Sequence, residues 1–214
     1  MKKTIEFKPG KWDAGAWMNV KSARWDYVKD FIQAEDHIIN PCPDCSDEEL
    51  YAHHVTEVYA SQVLREKVHA KAKISCTMSF DHLMAPLIVI APRFGKDDKG
   101  RPEFREHHEI VLYNNGINVW HYIFEDGKPK WHLAAFLRVP FAAKTRHTLS
   151  VTIERRREVQ MTIECDGHVF GYQDESLTDE FYTGLTACEG RNRFYDFTVE
   201  TDLPPTDFAA DGEH

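Results

Sequence analysis

Residues 106 to 136 read EHHEIVLY-NNG-INVWHYIFE-DG-KPKWHLAAF. Two turn signals divide this run into three strands. Asp126-Gly127 between two alternating segments is a strong hairpin signal, because a type I′ turn needs positive φ at both central residues. With those two residues as the loop, Glu125 faces Lys128, Tyr122 faces Trp131, His121 faces His132 and Trp120 faces Leu133. The turn at Asn114-Asn115-Gly116 is less sharply defined. A register slip of two residues there leaves the faces unchanged, since side chains alternate with period two. One face then carries Ile110, Leu112, Val119, Ile123, Ala134 and Phe136 and reads as core. The other carries His107, Glu109, Tyr113, Asn118, Trp120, Tyr122 and Trp131. His121 and His132 fall on the aliphatic side, where buried imidazoles need partners.

The same alternation runs outward through the chain. Val68, Ala70, Ala72, Ile74, Cys76, Met78 and Phe80 alternate with polar residues, and Leu87 to Ala91 is apolar on both faces, as a central strand would be. Leu149, Val151 and Ile153 are expected to face inward. After a turn at Arg155 to Glu158, so are Val159, Met161 and Ile163. Asp166-Gly167 marks a second two-residue hairpin, into His168 to Tyr172. Gly184 to Cys188 and Phe194 to Val199 supply two more strands, and Ile5 and Phe7 offer a pairing partner from the other end of the chain. Helix signals are scarce; Ser46-Asp47-Glu48-Glu49 can open one turn around Leu50. The polar stretch Gly95 to Arg101 is expected to be mobile, and the tail from 203 to 214 to fray. No fixed-period repeat appears, so a propeller is not expected. Many evenly spaced strands point to an all-β antiparallel sandwich. It is expected to be one domain over 1–202, with strands and loops of residues 1–50 covering one side.

A chain of 214 residues, 42% hydrophobic and 29% charged, suits one globular domain. A formal charge of −9 argues against a nucleic-acid partner, which wants a basic face. The opening MKKTIEFKPGKW has no apolar stretch behind its lysines, so no signal peptide is read there. No run approaches the ~20 apolar residues of a membrane helix. Five scattered cysteines fit free thiols, and a cytoplasmic location is expected.

The aromatic-polar face carries the candidate chemistry. Trp120, Trp131 and Tyr122 offer rings that stack on pyranose faces, with Asn118, Tyr113 and Glu109 as hydrogen-bonding neighbours. The bland alternative is that these rings form the inter-sheet core. Glu109 and His107, two apart on one strand, point the same way and are the acid/base candidates. A glycosidase normally uses two carboxylates. A lyase needs one base, one acid and a charge stabiliser, parts that His107, Tyr122 and Arg93 could take. His107-His108 are poor joint metal ligands because adjacent strand residues face opposite ways. Cys42-Pro43-Asp44-Cys45 with His53-His54 has a zinc-like spacing but is equally an ordinary turn, and no metal site is assigned. Glu189, Arg191 and Asn192 could edge the same face.

The closing pattern Tyr182-Thr183-Gly184-Leu185-Thr186-Ala187, Gly190, then Arg193-Phe194-Tyr195-Asp196-Phe197-Thr198-Val199 resembles the end of the concanavalin A-like lectin/glucanase sandwich, a jelly roll. The likeness covers about residues 50 to 201. It implies a concave sheet face that holds a saccharide or glycoside, with calcium as an ion common in that class. The family 16 glucanase motif and the alginate-lyase triplet are absent. The expectation is therefore a carbohydrate-active enzyme, hydrolase or lyase, acting on a small saccharide. A non-catalytic carbohydrate-binding protein and a β-sandwich subunit of a sugar-processing complex are the alternatives.

Overall fold

The structure, a computed structural model, describes residues 1–43, 45–52, 58–82, 85–125 and 128–203. In chain order the elements are β1 (Lys2–Glu6), β2 (Trp17–Asn19), β3 (Ile32–Gln33), β4 (Ile38–Ile39), α1 (Asp47–Ala52), β5 (Ala60–Leu64), β6 (Val68–His69), β7 (Ala72–Phe80), β8 (Pro86–Lys96), β9 (Pro102–Tyr113), β10 (Gly116–Glu125), β11 (Lys128–Arg138), β12 (His147–Arg155), β13 (Val159–Cys165), β14 (His168–Gln173), β15 (Glu180–Ala187), β16 (Asn192–Phe194) and β17 (Asp196–Thr201). They form two antiparallel sheets. The first runs β14-β13-β12-β7-β16-β4-β3, with β17 also on β7 and β1 on β17; the second runs β11-β10-β9-β8-β15-β5-β2, with β6 on β15. The chain is an antiparallel β-sandwich, as its alternation requires.

Each inward face is mainly apolar, and the two close on a shared core. Ile74, Cys76 and Met78 of β7 and Leu149, Val151 and Ile153 of β12 meet Ile88 and Ile90 of β8, and Ile110, Leu112 and Val119 of β9 and β10. Strand β8 is apolar on both sides because its other face is covered too. Leu87, Val89 and Ala91 pack with Met18, Val20, Val63 and Tyr182 in a second cluster on the outer side of the second sheet. That cover comes from the N-terminal segment. Val20 N–H donates to Ser61 O on β5, Phe104 N–H on β9 donates to Lys21 O, and Lys29 N–H donates to Tyr59 O beside β5. Residues 20–29 thus cross the sheet and return.

Local signals are realised. Cys165 pairs with His168, and both Asp166 (φ 49) and Gly167 (φ 83) have the positive φ of a type I′ turn. Ser46 and Glu49 form a reciprocal capping box: Glu49 N–H donates to Ser46 Oγ at 3.2 Å and Ser46 N–H to Glu49 Oε2 at 2.8 Å. The Asp126-Gly127 turn itself lies outside the described residues, but the strands beside it pair as that turn demands: Glu125 with Lys128, Tyr122 with Trp131, His121 with His132 and Trp120 with Leu133.

Two expectations are corrected. Phe136 is not core. A β-bulge lies between Val119 and Trp120: Trp120 pairs with Leu133 but Val119 with Ala135, so Ala134 is the extra residue. Beyond it every side chain of β11 changes face, and Phe136, 54% exposed, lies outward opposite Asn118. The stretch Gly95 to Arg101 is held rather than loose. The buried Asp97 carboxylate accepts from Lys99 N–H at 2.9 Å and from Arg101 N–H and Nε at 2.8 Å each, and Lys21 Nζ lies 3.7 Å away.

Candidate functional site

The outward face of β9, β10 and β11 bears a cleft of about 270 Å³. Glu109, Trp120, Tyr122, Trp131, Asn118 and Tyr113 line it together with Arg24, Val111 and Glu189. Six of the eight residues expected at the site therefore share one surface. Period two explains it. Tyr113, Val111, Glu109 and His107 alternate outward along β9; Asn118, Trp120 and Tyr122 face them from β10 in the register Val111–Asn118, Glu109–Trp120, His107–Tyr122.

A ladder of rings supports the floor. Trp131 lies over Tyr122 at 6.2 Å and 23°, Tyr122 over His107 at 4.8 Å and 9°, and His107 over Phe104 at 4.3 Å and 25°. His107 is therefore not a cleft wall. It is buried beneath, and its Nε2 lies 3.3 Å from Glu109 Oε1. Glu109 is only 6% exposed yet reaches the cleft, with Trp120 across the strand pair. Trp131, 49% exposed, offers its ring to solvent. Arg24 closes one side. Its Nη1 donates to Tyr122 Oη at 3.0 Å, and its guanidinium sits 5.2 Å from the Trp131 ring centre and 5.1 Å from that of Trp25.

The electrostatics limit the roles. Burial first, and the Glu109 carboxylate second, push the Tyr122 phenol well above its ordinary pKa. Burial and then Glu109 likewise push up the thiol of Cys188, another lining residue. Both stay protonated near neutrality, so neither is a ready base.

Arg93, expected beside the cleft, is not brought there. Strand β8 is irregular on both sides of Arg93, which turns the side chain toward Glu106 on the other face. Arg93 Nε donates to Glu106 Oε2 at 2.8 Å. Glu189 does reach the cleft, as the sandwich arrangement suggested; Arg191 instead pairs with Asp47, and Asn192 is buried and accepts Asn40's company through its own N–H donated to Asn40 Oδ1 at 2.9 Å. Arg24 was missed. Nothing in its local sequence ties it to Tyr122, 98 residues on; only the crossing of residues 20–29 does.

All five cysteines are unpaired. Cys42 donates its thiol to Gly190 O at 3.2 Å. Asp44, His53 and His54 of the zinc-like spacing lie outside the described residues. Calcium wants a cage of oxygen ligands. Among the described residues the side-chain cluster with metal-ligand geometry is His108, His121 and Asp174, which is nitrogen-rich and does not fit calcium. Among the described residues no helix is long and apolar enough to cross a membrane.

No protein-family model and no curated protein matches the chain. Solved structures do. The carbohydrate recognition domain of Emp46p in its metal-free form aligns with TM-score 0.62 at 12% identity over 94% of this chain and 97% of that one. The carbohydrate binding module CBM66 from Bacillus subtilis aligns with TM-score 0.58 at 11% identity over 87% and 96%. The kappa-carrageenase from Pseudoalteromonas carrageenovora, solved with an oligotetrasaccharide of kappa-carrageenan, aligns with TM-score 0.55 at 10% identity over 92% of each chain. The fold is the concanavalin A-like β-sandwich.

Proposed function

We propose that the cleft binds a saccharide and that the protein hydrolyses a glycosidic bond there, with Glu109 and Glu189 as the carboxylate pair. The observation that carries this reading is Glu109: an almost buried carboxylate that opens onto a cleft walled by Trp120 and Trp131. Indole faces stack on the C–H faces of a pyranose and orient it. Glycoside hydrolysis needs one carboxyl to protonate the leaving oxygen and a second to act as nucleophile or to activate water. Glu109 and Glu189 both line the one small cleft and are the pair a hydrolase would use there. His107 positions Glu109 from below through the 3.3 Å contact. The lyase reading with His107, Tyr122 and Arg93 is weaker, because Arg93 is held on Glu106 away from the cleft and His107 is buried beneath it. The fold supports a sugar-related role, since the similar structures include a carbohydrate binding module, a lectin domain and a carrageenase.

A binding-only reading has one observation in its favour. Trp131 and Phe136 are both about half exposed on the outer face of β11, Trp131 at the cleft wall and Phe136 farther along the strand. Such a strip suits a longer glycan that is held rather than cut.

Glu109→Gln separates the two. It keeps shape and hydrogen-bonding reach but cannot exchange a proton. For a hydrolase, product release from a panel of oligosaccharides and aryl glycosides should fall at least about 10²-fold while calorimetric affinity stays nearly constant. Trp120→Ala should instead weaken affinity, by about tenfold if one stacked ring is lost. Unchanged turnover in Glu109→Gln removes this residue from the mechanism. No turnover by the unaltered protein on any sugar that it binds leaves the binding-only reading.

A further inference from the structure

Behind the cleft, on the inward face of the same two strands, stand His108 and His121. They are cross-strand partners of β9 and β10, and their rings stack at 4.3 Å and 7°. Asp174, just past the end of β14 in the opposite sheet, joins them. One ligand atom from each of the three lies within 4.8 Å of the others. We propose that His108, His121 and Asp174 bind a zinc-type divalent cation that ties the two sheets together at the β11/β14 edge.

Three observations carry this. The first is His108. It is 0% exposed, and among the described residues neither ring nitrogen has a hydrogen-bond partner. A buried imidazole with both nitrogens unmet is rare unless something accepts its lone pair. The second is the tautomer of His121. Its Nε2 lies 3.1 Å from Glu106 Oε1. A carboxylate can only accept, so Nε2 is the donor there, and Nδ1 is the ring nitrogen turned toward Asp174, 3.8 Å from its Oδ2. Glu106 is fixed in turn by Arg93. A histidine that donates one N–H to a carboxylate and turns the other nitrogen toward a shared point is the usual support around a bound metal. The third is the hold on Asp174: Ser176 N–H donates to its Oδ1 at 2.8 Å and Tyr172 Oη donates to its Oδ2, which fixes the carboxylate beside the two rings.

Two imidazoles and one carboxylate suit zinc, with a fourth position left for water. Binding one ion requires the two rings to turn out of their parallel stack about the Cβ–Cγ bonds, so that each nitrogen meets the metal near its ring plane at a bond length of about 2.0–2.2 Å. Asp174, with its side chain 21% exposed, provides the entrance. The site faces away from the cleft, so it does not depend on the saccharide reading.

The test uses the full chain stripped with a chelator and titrated with cobalt chloride, followed by visible absorption, then by calorimetry with zinc chloride. The expected result is one equivalent of Co²⁺ with the intense bands of low coordination number, displaced by Zn²⁺, and a rise in melting temperature with zinc. Asp174→Asn should weaken zinc affinity at least about tenfold and Glu106→Gln by about 10- to 100-fold. His168→Gln, four residues before Tyr172 on β14, should change nothing. His121→Asn should abolish binding; if it does not fold by circular dichroism, Asp174→Asn, at a partly exposed side chain, decides. Absence of a one-equivalent cobalt spectrum overturns the proposal and leaves a proton, not a metal, between His121 and Asp174. So does unaltered zinc affinity in Asp174→Asn.

Discussion

Strands β9 and β10 carry a histidine–glutamate pairing on each face, and the two pairings have opposite fates. Outward, His107 lies between Phe104 and Tyr122 and reaches Glu109, which opens onto the cleft. Inward, His108 stacks on His121, which reaches Glu106, clamped by Arg93. The four consecutive residues Glu106, His107, His108 and Glu109 thus belong alternately to two sites that share a backbone and little else. Parity along the strand separates a carboxylate that lines the cleft from one clamped by an arginine. The surroundings, not the residue types, decide which carboxylate opens onto the cleft.

The largest expected effect tests whether the inward face is core. Ile110 is fully buried between the sheets, between the outward Glu109 and Val111. Ile110→Ala should cost about 2–5 kcal/mol in denaturant unfolding, from lost transfer energy plus the cavity. A cost below about 1 kcal/mol would mean that the two faces are exchanged.

The next effect is the acid sensitivity of the inward pair. Burial first, and His121 second, lower the His108 pKa from 6.5 to about 3. The folded pKa lies below the unfolded one, so the unfolded chain takes the proton first. Stability is then complete above about pH 6.5 and is lost as pH falls toward 3. In chelator, between pH 7 and pH 4, this group alone should remove on the order of 3 kcal/mol. His108→Leu should flatten that part of the profile. It should cost little at pH 7, because it also removes two unmet nitrogens that each carry a penalty of about 1–3 kcal/mol. An unchanged acid slope in His108→Leu would place the sensitivity elsewhere, and the outward pair is the first place to look.

Much of this arrangement was readable from the sequence. The Asp-Gly signal set the β10/β11 pairing, and period two then delivered Glu109, Trp120, Tyr122 and Trp131 to one face. The inward cluster was within reach as well. With Asn114-Asn115 as the loop, Tyr113 pairs with Gly116, and the same count sets His108 against His121. Asp174 was not, because no local pattern reports which loop of the opposite sheet comes near. Arg24 was hidden for the same reason. Arg93 and Phe136 were misplaced where irregularities in β8 and β11 break the period, and an alternating pattern carries no mark of a bulge when both neighbours are alanines.

The smallest effect bears on that bulge. Ala134 and Ala135 both pack against the core, and the extra residue turns Phe136 outward, where Arg138 lies 5.4 Å from its ring centre. An uninterrupted register would put Phe136 inside, and its truncation would then cost about 3–5 kcal/mol. With the bulge, Phe136 already meets solvent over half its surface, so Phe136→Ala should change stability by no more than about 0.5 kcal/mol. Urea unfolding of this variant beside Ile110→Ala gives the ratio directly. A cost above about 2 kcal/mol would restore the straight register, carry Phe136 back to the inward face and remove it from any glycan-holding strip on β11. A near-zero cost together with weakened binding of a long oligosaccharide, but not of a short one, would extend the outward site along that strand.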